Sequence, residues 1–239
     1  MTTTDPTLLK RAAALRALDF VQDGMKLGLG SGSTAEAFVE VLGPRVRGGL
    51  SVTGVATSER TAQKARGLGI PLAPLDQLAP LDLTVDGADE TDRSLNLIKG
   101  GGGALLREKI VAASSKRMVV VADASKLVRR LGRFALPVEV AEFGHASTAA
   151  RIAEAASALG YNSIPIVLRS QDGAPFKSDG GNLIYDCAFG SIKNAAKLAA
   201  ALSAIPGVVE HGLFIGLAAA LLIARTVDRV DLIERKADA

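Results

Sequence analysis

The sequence predicts an α/β protein: a Rossmann-like, mostly parallel sheet with helices on both faces, joined to a smaller α+β domain. Three observations carry that prediction. Apolar, β-branched runs alternate with helical patterns through the first half of the chain, and the runs lack the polar alternation of a half-solvated sheet. Glycine-rich and acidic loops follow the first and third of these runs, where an open α/β sheet holds ligands. Near residue 135 the rhythm changes to strand, helix, two strands, helix, strand, a βαββαβ succession of ferredoxin-like type.

Taken in order, residues 7–22 have the apolar spacing of an amphipathic helix, with Asp5 and Thr7 as candidate caps. "MKLGLG" reads as a strand running into a glycine turn, and "STAEAFVEVLGPRV" as a helix with Ser33 or Thr34 near its start. "LSVTGVAT" is a second strand, "SERTAQKARGLG" a helix stopped by glycine, and "LDLTVDGADE" a third strand ending in acids. A helix over 104–115 follows four glycines, and "KRMVVVAD" is a fourth, fully apolar strand. The smaller domain takes strands at "FALPVEV", "IPIVLRS", "NLIYDCA" and "IPGVVEHG", with helices at 147–160 and 191–203. The tail from about residue 211 returns to the main sheet, and the run 213–224 is a buried strand or core segment that could also contribute to a subunit interface. The predicted division is therefore 1–134 with 211–239, and 135–210.

Composition narrows the function. With 239 residues and 48% hydrophobic content, the chain can bury a substantial core. A net charge of +3, from 28 basic and 25 acidic residues, is too mild to argue for nucleic acid. Trp is absent, and seven Phe and two Tyr provide no base-stacking platform. Cys187 is the sole cysteine, which excludes an internal disulfide and a multi-cysteine metal site; it reads as a small buried hydrophobe. His145 and His211 form no metal-spaced pair. The opening "MTTTDPTLLKRAAALRALDF" has no basic segment leading into an apolar core, and 213–224 is shorter than the roughly 20 residues of a membrane span. The expectation is a cytoplasmic protein without a membrane or nucleic-acid partner.

Three loops carry the chemistry. "GLGSGSTA", residues 28–35, opens a helix with Ser31, Gly32, Ser33 and Thr34. It reads as a weak dinucleotide fingerprint, a phosphate-binding helix start or a tight turn, and the region after the second strand lacks the acid a dinucleotide needs. "VDGADE" places Asp86 and Asp89 around Gly87 and Ala88, as acids converging on a small molecule, as oxygen ligands of a divalent cation, or as turn caps. In "LIKGGGGALLREKI", Lys99 precedes Gly100, Gly101, Gly102 and Gly103, and Glu108 stands one turn into the following helix. A nest of glycine amides would bring an electrophile and a base together; otherwise the glycines are a linker and the charges a solvated face.

The ordered set "GLGSGSTA", "DGADE", "KGGGGALLREK", "ADASK", "LPVEV", "NLIYD" and "PGVVEHGLF" resembles type A ribose-5-phosphate isomerase, from about Lys10 to about Ile233. The resemblance implies interconversion of ribose 5-phosphate and ribulose 5-phosphate in the pentose phosphate pathway, with no cofactor or metal. It implies catalytic roles for Asp86, Asp89, Lys99 and Glu108, with Glu108 as general base. It implies substrate contacts from Ser31, Gly32, Ser33, Thr34, Asp86, Gly87, Ala88, Asp89, Lys99, Gly100, Gly101, Gly102 and Lys126, with Lys10 reaching the phosphate. Ser31 stands where the family carries threonine; both have a hydroxyl. A homodimer is implied, a tetramer being the other state left open, with 135–210 serving assembly. The competing readings are a sugar-phosphate-binding regulatory module without catalysis, a nicotinamide-dependent dehydrogenase and an inactive structural subunit.

Overall fold

The six-stranded main sheet runs Arg229–Glu234, Ala218–Thr226, Met118–Asp123, Leu83–Asp86, Lys26–Leu29, Thr53–Ala56 across its width. Only the hairpin at the Arg229–Glu234 edge is antiparallel. The computed structural model describes residues 5–235; residues 1–4 and 236–239, at the ends of the predicted larger domain, lie outside the described residues.

Strand Met118–Asp123 shows why the sheet is covered on both faces. Its side chains alternate. Val119 and Val121 pack with Leu9, Ala13, Phe38 and Leu42 of the helices Pro6–Ala17 and Gly32–Arg47. Met118, Val120 and Ala122 pack on the opposite face with Ala112 of helix Leu105–Ala113 and with Phe214. Every residue of that strand is buried, so apolar side chains are needed on both sides. The first helix starts as predicted at Asp5, whose carboxylate accepts from the Thr7 amide at 2.8 Å, with Pro6 in the first turn. It stops at Ala17, earlier than predicted, and tightens into the 3-10 turn Leu18–Phe20.

In the smaller unit the strands Val208–His211, Leu136–Val140, Leu183–Cys187 and Ile166–Leu168 lie side by side in that order, all antiparallel. Helices His145–Ala158 and Ala195–Ser203 bury Ile152, Ala156, Leu198 and Leu202 against them. The second helix begins four residues later than predicted. The backbone just before it is already bonded, Ile192 N–H to the Leu131 carbonyl and Lys193 N–H to the Tyr161 hydroxyl, and Asn194 caps the helix that follows.

A small antiparallel sheet, Leu213–Phe214, Leu97–Ile98, Glu90–Thr91, joins the two units. Its two-residue strands carry no periodic signal, so sequence patterning could not reveal it. The apolar run 213–224 resolves into one of these strands, a turn, and the start of Ala218–Thr226, which returns to the main sheet beside Met118–Asp123. Among the described residues no helix is long and apolar enough to cross a membrane.

Candidate active site

Two backbone placements bring the chemistry together. Strand Leu83–Asp86 ends between two parallel neighbours, so Asp86 and the loop after it emerge at the carboxyl edge of the sheet. The Lys99 amide donates to the Gly212 carbonyl at 2.9 Å, which pins the end of strand Leu97–Ile98 and aims Lys99 inward. Helix Leu105–Ala113 then brings Glu108 back over the same point.

Lys99 is the hub. Its ammonium donates to the Gly87 carbonyl at 2.8 Å and lies 3.0 Å from Asp86 Oδ1 and 3.3 Å from Glu108 Oε1, while only 3% exposed. Phe214 forms an apolar wall, its ring centre 5.7 Å from Nζ. Burial works against charge on Lys99, but Asp86 and Glu108 outweigh it and hold the ammonium above the ordinary lysine value. Burial pushes the Glu108 carboxyl up to about 8, Lys99 opposing and Asp86 and Asp89 adding to the rise. Burial also raises Asp86, against the pull of Lys99 and the amides of Gly87 and Ser31. Oδ2 of Asp86 and Oε2 of Glu108 are buried without a partner, so each carboxyl has a free oxygen able to take a proton.

One cavity gathers the predicted residues. Lys10, Ser31, Gly32, Ser33, Thr34, Gly87, Ala88, Asp89, Lys99, Gly100, Gly101, Gly102, Glu108 and Lys126 all line it. Asp86 is the departure: predicted to touch substrate, it has no exposed surface and sits behind the lining. Its Oδ1 is taken by Lys99 and by the amides of Gly87 at 2.7 Å and Ser31 at 3.2 Å. Asp89 does reach the cavity, with one carboxylate oxygen accepting from the Gly101 amide at 2.8 Å.

At the other end of the cavity, Lys10 donates to Ser33 Oγ at 2.9 Å beside the first turn of helix Gly32–Arg47. Lys126, on the 3-10 turn Ala124–Lys126, adds a second cation. A helix N-terminus with two lysines and the hydroxyls of Ser33 and Thr34 favours an anion such as a phosphate ester. The Ser31 hydroxyl is turned away, 2.6 Å from Thr57 Oγ1, so its amide and not its side chain supports Asp86.

Sequence reasoning missed Phe214 and the threonines behind Ser31, Thr57 and Thr61, which are remote in sequence and chemically plain. Cys187 is fully buried with its thiol pushed up to about 12 by that burial, an inert core residue as read. Among the described residues no group of three or more His, Cys, Asp or Glu is placed to hold a metal.

Comparison with known proteins gives a consistent result. The family model described as ribose 5-phosphate isomerase A (phosphoriboisomerase A) matches residues 53–228. Ribose-5-phosphate isomerase A of Parvibaculum lavamentivorans is 60% identical over 225 residues, 94% of this chain and 97% of that protein. The solved ribose 5-phosphate isomerase of Plasmodium falciparum is 35% identical with a TM-score of 0.91, over 97% of this chain and 100% of its own. A D-ribose-5-phosphate isomerase solved in complex with phospho-erythronic acid is 36% identical with a TM-score of 0.90, over the same shares.

Proposed function

The chain belongs to the ribose 5-phosphate isomerase A family, and from that premise we propose how its cavity performs the aldose–ketose exchange between ribose 5-phosphate and ribulose 5-phosphate. The observation that carries the assignment of roles is the enclosed Lys99–Glu108 pair at 3.3 Å, set in a cavity whose far end is built for an anion.

The exchange moves one proton from C2 to C1 and one from O2 to O1. Glu108 takes the C2 proton, the electron pair moves onto O1, and an enediolate forms; Glu108 then returns the proton to C1. An ordinary glutamate, with a pKa of 4.5, is a feeble base for a carbon acid, and the raised value of Glu108 strengthens it. Lys99 faces the developing oxyanion, a type of donor worth about 3–4 kcal/mol in the transition state. Asp89, at the cavity surface, moves the hydroxyl proton and assists opening of the sugar ring. Asp86 keeps Lys99 charged and aimed. Ser33, Thr34, Lys10 and Lys126 hold the 5-phosphate, and that remote binding energy aligns the reacting carbons.

A regulatory module without catalysis is not favoured, because such a module has no use for an enclosed base against an enclosed lysine. The test is appearance of ketose from ribose 5-phosphate, with and without a chelator. Glu108→Gln keeps the shape of the site and lowers turnover by about 10²–10⁴-fold in a folded protein. Near-normal turnover in that variant would overturn the role of Glu108.

The same reading places the protein in the cytoplasm and in the pentose phosphate pathway, as a homodimer. It assigns 1–134 with 211–239 to the catalytic domain and 135–210 to a domain that contributes to assembly. Sedimentation of the purified chain checks the dimer, and a monomer at micromolar concentration would remove it.

A further inference from the structure

The glycine run is held from outside the site by a residue of the smaller unit. Residues 100–103 form a turn closed by the Gly103 amide on the Gly100 carbonyl at 3.0 Å. In such a four-residue turn the middle peptide, here Gly101–Gly102, can face either way, and reversal exchanges its carbonyl and its N–H. Four glycines offer no side chain to choose between the two.

Arg169 chooses. Its Nη1 donates to the Gly100 carbonyl at 2.9 Å and to the Gly101 carbonyl at 3.2 Å. The guanidinium is anchored by Asp186, Nε to Oδ2 at 2.9 Å and Nη2 to Oδ1 at 2.5 Å, and is largely covered, its central carbon 5.8 Å from the centre of the Phe176 ring. A trans peptide carries its N–H opposite its carbonyl. With the Gly100 carbonyl on Arg169, the Gly101 N–H points the other way and meets Asp89 at 2.8 Å. With the Gly101 carbonyl also on Arg169, the Gly102 N–H points away from the guanidinium, on the side where Gly102 lines the cavity next to Lys99 and Asp89.

We propose that Arg169 is a positioning residue for the isomerisation: it pins the two peptides Gly100–Gly101 and Gly101–Gly102 so that the amide of the first orients Asp89 and the amide of the second donates to the oxyanion end of the sugar. Reversal of the Gly101–Gly102 peptide would put a carbonyl oxygen where negative charge develops. The inference rests on the isomerase reading above, which the unsubstituted chain tests on its own by turning over ribose 5-phosphate.

The experiment compares the wild type with Arg169→Met, which keeps the bulk and removes the fork. The readouts are kcat, KM and inhibition by two probes: phospho-erythronic acid, whose carboxylate imitates the enediolate oxygens, and inorganic phosphate, which reports only the anion end. The expected result is kcat lowered by about 10–100-fold, with KM within about threefold. Binding of phospho-erythronic acid weakens by a similar factor to kcat, and inhibition by inorganic phosphate is unchanged. Arg169→Lys recovers part of kcat, since a single ammonium cannot serve both Asp186 and two carbonyls in a fixed fork. Unchanged kcat in Arg169→Met, or equal weakening of both probes, would overturn the proposal. Should Arg169→Met fail to fold, Asp186→Asn loosens the same anchor and is expected to show the same split at smaller size; unaltered constants there count equally against it.

Discussion

At the scale of single residues, the proposed mechanism turns on how Glu108 carries its proton. That mechanism requires Glu108 as a carboxylate in the free enzyme, and burial lifts its pKa to about 8. The profile of kcat/KM is therefore expected to rise as pH increases through the region near 8. A flat profile from pH 6 to 9 would contradict the assignment of the base. The same shift has a consequence for stability with the opposite sign. Between the unfolded value of 4.5 and the folded value of about 8, the folded protein keeps a proton that the unfolded chain releases. Stability from this group is fully present below pH 4.5 and is lost as pH rises through 8. Glu108→Gln removes that titration, so the variant is expected to melt above the wild type at pH 9 and to lose the advantage near pH 4. Each kcal/mol of the difference appears as about 2–4 °C in Tm for a chain of this size. A variant less stable than wild type at pH 9 would show that the ionised glutamate is a net support.

At the scale of elements, the loops after the strands set the distances. Gly30 begins the turn after strand Lys26–Leu29, and an added Cβ there would meet Asp86 Oδ1 at 2.1 Å and Asp86 Cα at 2.6 Å. The second contact is backbone and cannot rotate aside. Gly30→Ala is therefore expected to destabilise the fold by about 1–3 kcal/mol and to abolish turnover by shifting Asp86 under Lys99. Gly102→Ala is the contrast, because an added Cβ there meets nothing within 4 Å. Its melting temperature is expected to match the wild type within about 2 °C, roughly 1 kcal/mol or less. Similar losses in the two variants would show that the turn after the first strand is not the constrained one. These two glycines look alike in sequence, and only the approach of Asp86 separates them.

At the scale of the whole molecule, what the sequence disclosed follows from where each signal resides. The strands of the main sheet are readable because burial on both faces demands unbroken apolar runs, as in Met118–Asp123. The loops that line the cavity are readable because Asp89, Lys99 and Glu108 stand in short ordered motifs. Arg169 and Asp186 were not readable as part of the site, since Arg169 reaches the Gly100 carbonyl across 69 residues of chain through a backbone group that any sequence possesses, and Asp186 acts only by anchoring Arg169. The placement of Asp86 behind Lys99 was hidden for a similar reason: a motif gives proximity, and depth comes from the layers packed around it. This division predicts how the fold opens. The central strands Leu83–Asp86 and Met118–Asp123, buried throughout and bordered by strands on both sides, should exchange their amide hydrogens only on global unfolding. The edge strand Arg229–Glu234 and the exposed hairpin Ser170–Gln171 with Ala174–Pro175 should exchange by local opening, at least ~10²-fold faster, a gap of about 2.7 kcal/mol or more. Hydrogen exchange followed by mass spectrometry or NMR measures this directly. Comparable exchange in the hairpin and the central strands would mean that the two units open together and that the Arg169 clamp, which lies beside that hairpin, couples them over a longer range than its own bonds.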